Sequence, residues 1–368
     1  MIKKLSIVVF ILTLFFILIT PASAQNQNQL SVTNSVASID FPFSLNISAQ
    51  IKSNVNLTDV RVRYKIDQMS FADVITEAKV SITPSQNAKA VWSLDMRKIG
   101  GLPPGSSLDY WWLAKDAAGN MIETTPIEFK VRDERYKWKS LVQDKISLFW
   151  YSGDDSFGRS LMETAQNSLT KLSNDTGVSP SKTINIYIYA NSQDLQGSMI
   201  FPQEWTGGVA FTPYNIITIG IDPNQLIWGK GAMTHELTHT VIYQVVFNPY
   251  NDLPVWLNEG LAMYAEGILS PQYSGPLSSA IAQDSLLSVM TICSPFSAYT
   301  DKSLLSYAES FSLVDYLVFN YGSNKMSQLL NTFKQGSTFD GAFLKVYGFD
   351  MDELNNLWET WVKSQFSK

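Results

Sequence analysis

The 368-residue sequence contains two histidines, and they stand four residues apart in Thr234-His235-Glu236-Leu237-Thr238-His239. On a helix, positions i and i+4 lie one turn apart on one face, so both imidazoles can reach a single metal ion. Zinc suits this spacing. Glu236, directly after the first histidine, stands where a carboxylate can take a proton from a metal-bound water, and the expected chemistry is hydrolysis. Two histidines scattered at random would fall in this register, with the glutamate in place, with a probability on the order of one in a few thousand.

A catalytic zinc ion usually takes three protein ligands and keeps a fourth position for water. With both histidines used, the third ligand is a carboxylate or the single cysteine, Cys293. Downstream runs Trp256-Leu257-Asn258-Glu259-Gly260-Leu261-Ala262-Met263-Tyr264-Ala265-Glu266. Glu259 follows His239 by twenty positions, room for one helix to end and a second to bring a carboxylate back. Glu266 lies two helical turns beyond Glu259 on the same face, as a partner for a metal ligand or as an ordinary solvated carboxylate. Asp252 has the setting of a turn or cap residue, and Cys293 reads more simply as a small core side chain.

The two segments, His-Glu-x-x-His and the later Trp-Leu-Asn-Glu-Gly, together resemble the gluzincin metallopeptidases, specifically the aminopeptidase N-like and peptidase MA-like branch. The resemblance implies a thermolysin-like zinc peptidase domain in which His235, His239 and Glu259 bind Zn2+ and Glu236 activates the water. The stretch between the motifs is one residue longer than is usual for aminopeptidase N, which implies a local loop difference. Peptide hydrolysis places negative charge on the carbonyl oxygen, which needs a donor beside the metal, and no third histidine exists to supply it. In the resembling enzymes a tyrosine on a later helix does so, which implies Tyr307, with Tyr299, Tyr264 and Tyr316 as alternatives. In those enzymes an edge strand upstream of the zinc helix also pairs with extended substrate, and residues 207–212 stand in the equivalent order, either in that role or as a plain sheet edge. The Gly-x-Met-Glu-Asn type segment that holds a free N-terminus is missing, which favours an endopeptidase over an aminopeptidase.

The elements that must position these residues fall into two blocks. Alternation at 43–47 and 60–66, and strand-like runs at 78–82, 90–94, 108–114 and 127–131, are separated by turn residues such as Gly100-Gly101-Leu102-Pro103-Pro104-Gly105. Residues 25–133 therefore read as an all-β, immunoglobulin-like or fibronectin-like sandwich. The charged stretch 132–137 reads as a linker. Residues 134–368 read as an α+β domain: strands at 146–150 and 184–189, a hairpin over 207–220, and helices near 157–172, 257–266, 276–289, 302–320, 325–333, 339–347 and 351–366.

At the N-terminus, Lys3 and Lys4, an apolar run over 5–20 and Pro21-Ala22-Ser23-Ala24 read as a secretory signal at 1–24, with an uncleaved membrane anchor as the alternative. Loss of the two lysines takes the formal charge from -6 to -8. An acidic chain without a basic block has no electrostatic footprint for nucleic acid. One cysteine allows no disulfide within the chain. The expected protein is a secreted zinc peptidase acting on peptide or protein substrates. The alternative is an extracellular binding or surface protein with an inert peptidase-like domain.

Overall fold

The computed structural model describes residues 30–203, 206–250, 252–297 and 299–366. The expected signal at 1–24 lies outside them. Among the described residues no helix is long and apolar enough to cross a membrane.

Alternating side chains build the first part. Strands β1 (Ser31–Asp40), β2 (Ser44–Lys52), β3 (Leu57–Ile66), β4 (Thr76–Lys79), β5 (Asn87–Asp95), β6 (Ser107–Asp116), β7 (Met121–Glu123) and β8 (Ile127–Lys130) form two antiparallel sheets. One has the order β1-β2-β5 and the other β4-β3-β6-β7, with β8 also pairing with β6. Every second residue of the central strands turns inward, so Leu45, Ile47, Val60, Val62, Tyr110 and Trp112 fill one core shared by the two sheets. β1 is not among the expected strands because its side chains are mostly polar and partly exposed; backbone pairing with β2 holds it. The strand expected over 78–82 runs instead from Thr76 to Lys79.

The charged stretch read as a linker is mostly exposed but is knotted around one buried carboxylate. The Asp133 side chain is fully buried, and its carboxylate accepts hydrogen bonds from Arg135 Nε (2.8 Å) and Nη2 (2.7 Å) and from the Tyr189 hydroxyl (2.8 Å). Arg135 also donates to the Gly197 carbonyl at 2.8 Å. Tyr136 stacks on Tyr151, and Trp138 meets Tyr187 and Tyr189 edge to face. Arg132, Glu134 and Lys137 face solvent as a linker would, but the one buried charge, Asp133, is tolerated because it is paired and hydrogen-bonded, and through it the segment fastens the two parts.

The second part is a mixed sheet overlaid by helices. Strands β9 (Lys139–Gln143) and β10 (Ile146–Trp150) lead to helix α1 (Asp155–Thr176), followed by β11 (Ile184–Tyr189), α2 (Ser192–Gln196), β12 (Gly208–Phe211) and β13 (Ile216–Gly220). The sheet order is β12-β13-β11-β10-β9, parallel across β10, β11 and β13 and antiparallel at both edges. Helices α3 (Leu226–Val246), α4 (Val255–Glu266), α5 (Pro271–Ala282), α6 (Thr300–Tyr321), α7 (Ser323–Lys334), α8 (Phe339–Val346) and α9 (Met351–Phe366) complete a mixed α+β architecture. α5 differs from the expected helix over 276–289. Pro271 suits a first helical position, where its missing N–H costs nothing, so the helix begins there. The chain after it is held by side chains instead of helical bonds: Glu309 accepts from Leu287 N and Asn355 from Val289 N, both at 2.9 Å.

Glu309 is itself 0% exposed, and its Oε2 has no partner. Burial pushes its carboxyl up from 4.5 to about 8. The folded value lies above the unfolded one, so the fold keeps the proton and loses stability as pH rises through this window. Glu309→Gln keeps an acceptor for Leu287 and cannot ionise. In thermal melts it is expected to exceed the native chain in Tm at pH 9 and to differ little from it at pH 5.

Candidate metal centre

Two crossing helices set the geometry. α3 follows a turn in which the Asp222 side chain accepts from Asn224 N at 2.8 Å. Met233, Leu237, Val241 and Ile242 of α3 join the core, leaving His235, Glu236 and His239 on a partly exposed flank. α4 carries Glu259, and the next residue decides how closely α4 approaches α6. A β-carbon at Gly260 would stand 2.3 Å from the Ser310 carbonyl oxygen, so only glycine allows that packing.

The crossing places Glu259 Oε2 3.3 Å from His235 Nε2 and 3.5 Å from His239 Nε2. Ligand atoms of the three residues lie within 4.8 Å of one another. In a tetrahedral shell with bonds of about 2.0–2.1 Å, neighbouring ligand atoms stand about 3.3 Å apart. The Glu259 oxygen is buried and has no hydrogen bond of acceptable geometry, despite its nearness to two ring nitrogens. A buried acceptor between two imidazoles, without a donor aimed at it, fits a cation that all three share. The residues can hold a divalent metal.

The electrostatics agree with this. Burial works against the charge on Glu259, but His239 and His235 outweigh it and hold its carboxyl well below the usual range. Burial likewise disfavours the His235 imidazolium, while the carboxylates of Glu259 and Glu266 beside its two ring nitrogens push it up to about 10. His239 is raised against burial by the charge of Glu259. Without a metal, the cage balances its carboxylate with protons.

The neighbours are equally specific. Glu266 Oε1 lies 2.7 Å from His235 Nδ1, so it can fix the ring and its tautomer with Nε2 toward the cluster. Glu236 is raised by burial, opposed by both histidines and by a hydrogen bond from the Ala210 backbone. It sits against β12: a β-carbon at Gly208 would come within 3.0 Å of its Oε1. Gly220 N donates to Gly207 O at 3.0 Å, so in this antiparallel pair Gly208 and Ala210 turn their own amides away from β13 to the sheet edge, where that of Ala210 is taken by Glu236.

Of the tyrosines singled out by sequence, Tyr307 is the one whose hydroxyl feels Glu259 and Glu236. Its hydroxyl is raised first by burial and then by the charges of Glu259 and Glu236, and its ring packs edge-on to Phe296 at 5.1 Å. Tyr264 lies under Lys171, 4.6 Å from ring centre to Nζ. Tyr316 lies 3.2 Å from the Tyr321 hydroxyl, and Tyr299 is exposed at the start of α6. Asp252 is exposed before α4. Cys293 is half-buried, its thiol pushed up to about 11 by burial and donating to Val289 O, outside the three-residue cluster. Sequence reasoning missed Tyr273 in the first turn of α5. Its hydroxyl is raised by burial and by Glu266 and Glu259, and its ring lies 6.3 Å from that of Tyr307. No spacing rule relates it to the histidines.

The model of the peptidase MA superfamily matches residues 164–364. No curated protein matches the chain. Among solved structures, OgpA from Akkermansia muciniphila is 14% identical over 30% of each chain, with a TM-score of 0.23. An aminopeptidase N family protein from Idiomarina loihiensis is 10% identical over 89% of this chain and 70% of its own, with a TM-score of 0.35. The sensor domain of the anti-sigma factor RsgI4 from Pseudobacteroides cellulosolvens is 13% identical over 31% of this chain and 99% of its own, with a TM-score of 0.18. Likenesses this slight carry no functional inference.

In a competition titration against a chromogenic chelator, Glu259→Ala and His235→Ala are expected to abolish stoichiometric zinc binding. Glu266→Ala is expected to weaken it by about 10–100-fold.

Proposed function

Because the chain belongs to the peptidase MA superfamily, we propose that it is a zinc-dependent peptidase in which His235, His239 and Glu259 hold the ion and Glu236 is the general base. The observation that carries this reading is the unpaired, buried Glu259 oxygen at 3.3 and 3.5 Å from the two ring nitrogens. Two imidazoles and one carboxylate with an open fourth position are the donor set of catalytic zinc.

Zinc in such a site supplies an acidified water and a positive charge beside the scissile carbonyl. This chain's own residues do the rest. Glu236, made more basic by burial, accepts the proton of the attacking water and returns it to the leaving amine. Tyr307 stays protonated because burial raises it, and its hydroxyl donates to the oxyanion that develops on the carbonyl. The outward backbone groups of Gly208 on the free edge of β12 pair with an extended substrate, giving affinity with little demand on side chains. β12 reads Gly208-Val209-Ala210-Phe211 and carries no acidic group to hold a free amine, which supports cutting within chains. An inert binding domain would have no use for Glu236 beside the ligands.

The strand orders β1-β2-β5 and β4-β3-β6-β7 support an immunoglobulin-like or fibronectin-like sandwich over 25–133, followed by the peptidase domain over 134–368. The basic and then apolar segment at 1–24 supports export. The substrates are peptides or proteins and not nucleic acids.

Glu236→Gln is expected to keep zinc and to lose hydrolysis of a mixed peptide substrate by about 10²–10⁴-fold. Unchanged turnover in that protein removes the mechanism. Tyr307→Phe is expected to lower kcat by about 10²–10³-fold with little change in KM. A change in KM alone makes Tyr307 a packing residue.

A further inference from the structure

The free edge of β12 has two unlike ends. Gly207 packs against Trp228, and beside it the surface opens into a cleft of about 710 Å³ lined by Ser192, Asn224, Gln225, Leu226, Ile227 and Trp228. Beyond Phe211 the chain enters the short turn Thr212–Tyr214, and there the N-terminal sheets reach across. In the loop 67–75, between β3 and β4, Met69 N donates to Pro213 O at 2.7 Å. Two residues on, Phe71 stacks on Phe247 with ring centres 4.0 Å apart and planes 12° from parallel.

Phe247 caps the C-terminus of α3. The Tyr243 ring, one turn back, is 5.3 Å from it, and His239 lies one turn before Tyr243. Residues four apart share a helix face, so a stripe runs from the metal cluster to the loop through His239, Tyr243, Phe247 and Phe71. The loop is fastened at two points, to the turn after β12 at Pro213 and to the C-terminus of α3 at Phe247. Even stacked, Phe71 is 56% exposed, and Val74 and Ile75 of the same loop are exposed too. Large apolar side chains held in water by a pinned backbone, continuous with a candidate site, mark a surface for apolar groups.

On the peptidase reading, we propose that loop 67–75 is the end wall of the substrate groove and receives an apolar side chain of the substrate, so that the N-terminal sheets take part in choosing the cleavage site. The eight helical steps from His239 to Phe247 cover about 12 Å. An extended peptide advances about 3.3 Å per residue, which puts the selected side chain about three or four positions from the scissile bond.

The test uses the full-length, zinc-loaded protein and a randomised peptide library, with cut sites read by mass spectrometry. On one side of the cut, Leu, Ile, Val or Phe is expected to be enriched about three or four residues away. Phe71→Ser is expected to reduce that enrichment by about tenfold, and Phe71→Leu to restore it. Preferences beside the scissile bond are expected to be common to all three proteins, an outcome that loss of folding does not produce. No such enrichment in the native protein, or its persistence in Phe71→Ser, overturns the proposal. If none of the three proteins cuts any peptide, the peptidase reading fails separately and binding decides. A fluorescent leucine-rich dodecapeptide and its serine-rich counterpart are then titrated into Glu236→Gln with and without Phe71→Ser. A loss confined to the leucine-rich peptide supports the wall, and equal affinities in both backgrounds overturn it.

Discussion

The structure depends on one carboxylate oxygen that is out of reach of ordinary solvation. Glu259 Oε2 is buried between two imidazoles, close to both and properly hydrogen-bonded to neither. An isolated charge in such surroundings is costly, and it is stable only when a positive partner is held at fixed distance. Protons on the histidines meet that demand in the chain alone, and a divalent cation meets it through all three residues at once. The crossing of α3 and α4 must therefore hold its register to within a fraction of an ångström.

The rest of the second part reads as support for that crossing. Gly260 lets α4 settle onto the α6 backbone, and the same α6 carries Tyr307 toward the carboxylates. Gly208 performs the corresponding service on the sheet side, where its missing side chain leaves room for Glu236. Its carboxylate is thereby held between an edge strand and the helix that carries both histidines. Glu266 secures the outer nitrogen of His235 from the far end of α4. Each contact is local, yet together they tie three helices and one strand to a single point.

How much of this was legible beforehand follows from what kind of constraint each residue obeys. The grouping of His235, His239 and Glu259 was readable because a shared cation would restrict both residue type and spacing, and the structure does bring these three together. α9 matches its expected boundaries because Met351–Phe366 has a clear helical period. Tyr273 could not be read, since it reaches the cluster only through the path of α5, and that helix starts earlier than its apolar pattern implied. β1 escaped because its pairing is carried by backbone groups, which every residue possesses. The segment 132–137 misled for the opposite reason: charged residues usually mark solvent, but the partners that bury Asp133 come from Arg135 and, far along the chain, Tyr189.

That knot has a bearing on how the molecule can be divided. Because Asp133, Arg135 and a ring of tyrosines and tryptophan interlock where the two parts meet, the N-terminal sheets are not a bead on a string. A shorter protein beginning after the knot would bare Tyr151, Tyr187 and Tyr189 as a sticky aromatic face and strand the Tyr189 hydroxyl without its acceptor. Such a fragment is expected to aggregate, and a foreign module grafted in place of the native one would have to reproduce this clasp, not merely a tether of suitable length.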